Sequence, residues 1–80
     1  MTPNQLANLA TAAYGKDWKM LLAEDTKISR EMLWRYQHKE TKISDRIREL
    51  VIKACRKRIA EKMEKLQKAI DVLDRIEAAA

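Results

Sequence analysis

The chain has 80 residues, with 17 Lys and Arg against 12 Asp and Glu for a net charge of +5, and a single Gly, Pro and Cys. That length fits one domain with a small core, which favours oligomerisation. One Gly and one Pro exclude a turn-rich β fold, and a lone cysteine excludes an internal disulfide or a cysteine-built zinc site. Ala, Leu, Glu, Lys, Arg and Met dominate, all strong helix formers, so the predicted fold class is all-α. No apolar run approaches the ~18 residues that cross a bilayer, and Met1–Ala13 lacks the basic start and apolar middle of a secretion signal. A soluble intracellular protein is expected.

Thr2 and Pro3 predict a helix start, Thr as the cap and Pro where its missing N–H costs nothing. Leu6, Leu9, Ala10 and Ala13 form one apolar stripe, and Gly15 follows as the residue that ends the helix. Asp17 is placed to cap a second helix carrying Trp18, Leu21 and Leu22, which stops near Thr26-Lys27. Ser29 caps a third, with Ile28 ahead of it able to pack on Leu33 as a hydrophobic staple. Met32, Leu33 and Tyr36 are expected to face inward, leaving Arg30, Glu31, Trp34, Arg35 and His38 outward.

Ser44 caps a fourth helix, and no Pro or Gly interrupts the chain after it, so about 34 residues can form one helix of ~50 Å. Two apolar stripes run along it. Ile43, Ile47, Leu50 and Ala54, with Val51 beside them, are expected to close the core of a head spanning residues 1–54. Ile52, Ile59, Met63, Leu66, Ile70 and Leu73 fall at heptad spacings, broken at Arg56, and predict a dimer interface in a C-terminal dimerisation helix, residues 55–80. The other possibility is that this helix folds back on its own head.

The charge is concentrated. Residues 46–58 hold Arg46, Arg48, Lys53, Arg56, Lys57 and Arg58 against Glu49 alone, while the segments on either side are close to neutral. A localised basic stretch suits a polyanionic partner, or else it is a solvated helix face.

From Leu22 to Lys39 the chain resembles the helix-turn-helix of the lambda-repressor/Cro-like family. Ala23 stands where the family places a small residue in the first helix of the motif, Ile28 and Ser29 where an aliphatic residue and a capping Ser open the recognition helix, and Met32, Leu33 and Tyr36 at its buried positions. Lys27 occupies a turn position where the family often has Gly, and His38-Lys39 stand where it often has Asn-Gly. The match is good over residues 18–43 and loose over 1–54; the long C-terminal helix is outside the usual pattern. The resemblance implies a compact helix-turn-helix head and a small transcriptional regulator of a phage or phage-derived bacterial kind, acting in the cytoplasm. A homodimeric repressor of the Cro-like or anti-CRISPR-associated type, reading an inverted repeat in double-stranded DNA, is the expected function.

Independently of the family, a helix fits the DNA major groove and its first residues reach base edges. Arg30, Glu31, Trp34 and Arg35 are the candidate base readers: Arg for guanine, Glu for the cytosine amino group, Trp for a thymine methyl or a sugar. The alternatives are an ordinary polar first turn for Arg30 and Glu31, and a partly buried core role for Trp34. Lys27, Ser29, His38, Lys39, Lys42, Arg46 and Arg48 are the candidate backbone contacts. Parallel pairing of the last helix sets its basic residues against their own copies; antiparallel pairing sets them against Asp71, Asp74 and Glu77 and holds the two heads roughly one DNA turn (~34 Å) apart.

No catalytic constellation is visible. His38 and Cys55 lack a third, orienting group, and Cys55 reads as a small buried hydrophobe. No enzyme activity, metal, cofactor, membrane or small-molecule ligand is expected. The competing class is a helical adaptor or inhibitor whose basic segment binds an acidic protein surface. RNA binding has little support, since few aromatic platforms are present.

Overall fold

A computed structural model describes residues 1–79, and among them it holds four α-helices and no strand: α1 Pro3–Tyr14, α2 Trp18–Thr26, α3 Arg30–Gln37 and α4 Asp45–Ala79. Ala80, at the end of the expected dimerisation segment, lies outside the described residues.

The helix ends follow from local hydrogen bonding. Thr2 caps α1 with a reciprocal pair: Gln5 N–H donates to Thr2 Oγ1 (3.1 Å), and Thr2 N–H donates to Gln5 Oε1 (2.9 Å). Gly15 closes α1 at φ 87°, ψ −162°, a region open almost only to glycine, while its N–H donates to Thr11 O. Asp17 precedes α2, but its side chain makes no capping bond, contrary to the role expected for it. Its backbone, at φ −93° and ψ 27°, is not in the extended conformation that a capping side chain requires. Ser44 Oγ accepts from Ile47 N–H (3.3 Å) at the start of α4.

One core holds the four helices. Leu6, Ala10 and Ala13 of α1, Leu22 of α2, Leu33 of α3, and Val51 and Cys55 of α4 are fully buried, joined by Tyr14, Trp18, Ile28 and Tyr36. Helix α1 packs on all three others, and α2 on α3 and α4; the backbone of α3 keeps clear of α4. The eight-residue α3 is therefore held from one side, through Leu33 and Tyr36, and its other side is open.

The head continues past residue 54, the limit the apolar pattern suggested. Cys55 is in the core, Arg58 lies over the Tyr14 ring at 5.3 Å, and Lys62 Nζ donates to Ala12 O at 3.4 Å. Ile59, expected in the dimer interface, packs in part against the head's core and is half-buried, as is Ile52. The heptad spacing carries through Ile59 without distinguishing which partner it meets, because α1 lies alongside this stretch of α4. Beyond it α4 does not fold back: residues 60–79 are all exposed, and the molecule measures 57 × 20 × 19 Å.

Two buried groups link the core to alkaline pH. Tyr14 Oη donates to Asp25 Oδ2 at 2.7 Å; burial, then this bond and the Asp25 charge, hold the phenol neutral well above its usual range. Burial pushes the Cys55 thiol up to about 11. For both, the raised value favours the protonated form in the folded state. The stability they contribute is complete below the unfolded values, near 9 for the thiol and 10 for the phenol, and is lost as pH rises through the folded ones. The thermal midpoint is expected to change little between pH 7 and 8.5 and to fall steadily above pH 9. Melts of Cys55→Ala across the same range should show a shallower fall; an equally steep one would remove Cys55 from the cause.

Candidate nucleic-acid interface

The outer face of α3 is the most distinctive surface of the head. Ser29 starts the helix, its Oγ accepting from Met32 N–H at 3.1 Å, with Ser29 itself extended at φ −66°, ψ 152°. That cap fixes where the helix begins and so which side chains point away from the core. Arg30, Glu31, Trp34, Arg35 and His38 are all exposed, opposite Leu33 and Tyr36. Trp34 is 44 % exposed, which removes the core role considered for it.

These side chains engage one another. Arg35 and Glu31 form an ion pair at 2.9 Å across one turn. Trp34 and His38 stack with ring centroids 4.0 Å apart and planes 19° from parallel, and His38 Nδ1 lies 2.8 Å from Trp34 O. The α3 face is thus an ordered set of planar groups, two of them flat rings and one a guanidinium fork.

Around α3 the candidate residues divide among three recesses. Arg30, Glu31 and Trp34 line an open groove of about 530 Å³ together with Lys16, Asp17, Lys19 and Met20 from the start of α2. Lys27, Ser29 and Arg30 share an adjoining recess with Met20 and Glu24. Lys39 and Lys42 are elsewhere, beside Met1 and Pro3 at the start of α1. Arg46 and Arg48 stand on the first turn of α4, with Arg48 turned to Glu49 at 2.8 Å.

Lys16, Lys19 and Met20 were not among the residues singled out from sequence. Lys16 and Lys19 bracket the start of α2 at the groove that Arg30 and Trp34 enter from the other side. The signal was a pair of lysines flanking Trp18 at a helix start, where unpaired N–H groups also favour an anion. Lys19 Nζ lies 5.5 Å from the Trp18 ring centroid, so its stem is already supported by the core's edge.

The turn geometry adds a second feature. Lys27, just before α3, and Lys39, just after it, are the only non-glycine residues at positive φ among the described residues, at 64° and 63°. A left-handed residue other than Gly costs roughly 1–2 kcal/mol. Both strained positions at the two ends of α3 hold a cation where Gly would relax the backbone. Lys27→Gly is expected to raise stability by up to ~1 kcal/mol, read as a higher thermal midpoint. In a nucleic-acid titration the same variant should lose about 0.9 log units of salt slope. A higher midpoint with an unchanged slope would leave Lys27 without a phosphate contact.

The basic segment 46–58 is only partly free. Arg58 is half-buried over Tyr14, and Lys53, Lys57 and Arg58 line a cleft of about 340 Å³ with Asp25, Thr26 and Glu61, between α2 and α4. Among the described residues no group of three His, Cys, Asp or Glu side chains could hold a metal ion, and no helix is long and apolar enough to cross a membrane. Cys55 is enclosed in the core while His38 is exposed on α3, so the two do not form a nucleophile–base pair. No protein-family model matches the chain, and no curated protein or solved structure matches it significantly.

Proposed function

We propose that the chain is a sequence-specific reader of double-stranded DNA, a homodimeric transcriptional regulator of the repressor type that acts by occupying an inverted-repeat site. The observation that carries this reading is the open face of α3, where Arg30, Glu31, Trp34 and Arg35 project from a helix held on its other side by Leu33 and Tyr36. Eight helical residues extend ~12 Å, about the width of the major groove. A helix clamped from behind delivers its side chains as a rigid set, which base discrimination requires.

Lys16 and Lys19, with Lys27 in the adjoining recess, suit phosphates beside the groove that α3 enters. Lys39 and Lys42, beside the start of α1, and Arg46 and Arg48 suit the adjacent backbone. The acidic Glu31 among these cations argues for discrimination over undirected attraction. It repels phosphate, and its gain comes only where a base amino group donates to it.

Selection of bound duplexes from a random library, followed by titration of the winner at two salt concentrations, tests the proposal. The selected duplex should contain an inverted repeat with half-sites about ten base pairs apart and bind at least ~10³-fold tighter than unselected DNA. A matching repeat upstream of the gene would name its own promoter as a target. No enrichment, with binding equal on all duplexes, would leave only a basic helical protein and favour the adaptor reading.

A further inference from the structure

Six large apolar side chains in the second half of α4 are left uncovered among the described residues: Met63, Leu66, Ile70, Val72, Leu73 and Ile76 are 48–65 % exposed. A contiguous apolar patch on a monomer is unusual, and a helix that projects without tertiary support is marginal in water. Something must cover this face for α4 to remain helical to Ala79. Met63, Leu66, Ile70 and Leu73 repeat at three- and four-residue spacings and so lie in one stripe, which is the seam of a two-helix coil.

We propose that the cover is a second copy of the chain, packed antiparallel along residues 52–77 with its centre between Glu64 and Lys65. This deepens the homodimer part of the DNA reading by specifying how the copies join. In this register Met63 faces Leu66 of the second copy, Ile70 reaches Ile59 at the edge of the other head, and Leu73 reaches the aliphatic stem of Arg56. Lys53 and Arg56 then come within about one helical turn of the second copy's Asp74 and Glu77, twice over by symmetry. Parallel pairing sets Lys53 on Lys53, Arg56 on Arg56 and Glu77 on Glu77, and brings the two basic 46–58 segments together. Charge complementarity therefore selects the antiparallel arrangement. The face is also clear where it must be: Lys53 and Arg56 are exposed on α4, while the head covers the opposite side through Val51 and Cys55.

The test uses the full chain without DNA, so its failure and the failure of the DNA reading are distinguishable. Sedimentation should show a dimer at micromolar concentration. A spin label on Arg75→Cys reports the orientation; Cys55, enclosed in the head, stays unlabelled. Antiparallel pairing places the two labels about 35 Å apart, and parallel pairing about 20 Å. Reversing Lys53→Glu with Arg56→Glu should weaken the dimer at least about tenfold, and adding Asp74→Lys with Glu77→Lys should restore it. A monomer at every concentration, a short label distance, or a reversal that the second pair of changes fails to rescue would each overturn the proposal. A long distance with rescue establishes it.

Discussion

Arg35→Ala is expected to weaken binding to the selected duplex by about 1–3 kcal/mol and to relax preference at one base pair, with little effect on unselected DNA. The side chain is exposed and its guanidinium is held by Glu31 at 2.9 Å. An exposed pair of this kind is worth only about 0.3–0.5 kcal/mol, so opening it to reach a base costs little against what a bidentate contact returns. Pairing with Glu31 has a second effect: it holds the fork along the outer face of α3. Arg35→Lys separates the possible roles, since Lys keeps the charge and loses the planar fork. If Arg35 reads a base, the Lys variant should behave nearly as badly as Ala on the selected duplex. If both variants lose affinity equally on every sequence, Arg35 meets phosphate alone.

Leu33→Ala should be the most damaging single change to the head, costing about 2–5 kcal/mol. Leu33 is fully buried, and with Tyr36 it is what fastens α3 to α1 and α2. A domain of this size has a total stability of only about 4–12 kcal/mol. Each kcal/mol corresponds to about 4–8 °C of melting temperature, so the midpoint should fall by at least about 8 °C. The measurement is a thermal melt followed in the near ultraviolet, where Trp18, buried in the head, reports packing rather than helicity. A drop below about 5 °C would show that α3 is seated by other contacts. DNA binding should vanish with the packed head, because the α3 side chains keep their relative positions only while the helix is clamped.

Much of this architecture is legible one helix at a time. Thr2 and Ser29 are caps whose hydroxyls satisfy nearby N–H groups, so the beginnings of α1 and α3 follow from single residues. Gly15 and the end of α2 at Thr26 are equally local, and the apolar spacing of α1 and α3 names Leu6, Ala10, Ala13, Leu33 and Tyr36 as inward. The exposed α3 set follows by the same periodicity. Asp17 shows the limit of such reading: it occupies the residue before a helix, but the chain enters α2 with a backbone angle that turns the carboxylate away from its cap.

Residues brought together from different helices are a different matter. Lys16 and Lys19 join Arg30 and Trp34 only because α2 and α3 close on each other around Leu22 and Leu33. Lys39 and Lys42, adjacent in sequence to α3, are drawn toward the start of α1 by the left-handed step at Lys39. Ile59 belongs by its spacing to one seam and by its position to the head's core. The stacking of Trp34 on His38 needs the actual rotamers.

The all-helical class, the helix starts at Thr2, Ser29 and Ser44, and the uninterrupted length of α4 are readable from residue types alone, because they depend on hydrogen bonds and side-chain spacing within a few residues. Tertiary packing set which lysines share a groove with α3, that the head reaches as far as Lys62, and that α4 stands exposed beyond it. Those outcomes depend on where helices distant in sequence cross, which is set by the packing of one small core and by no local rule.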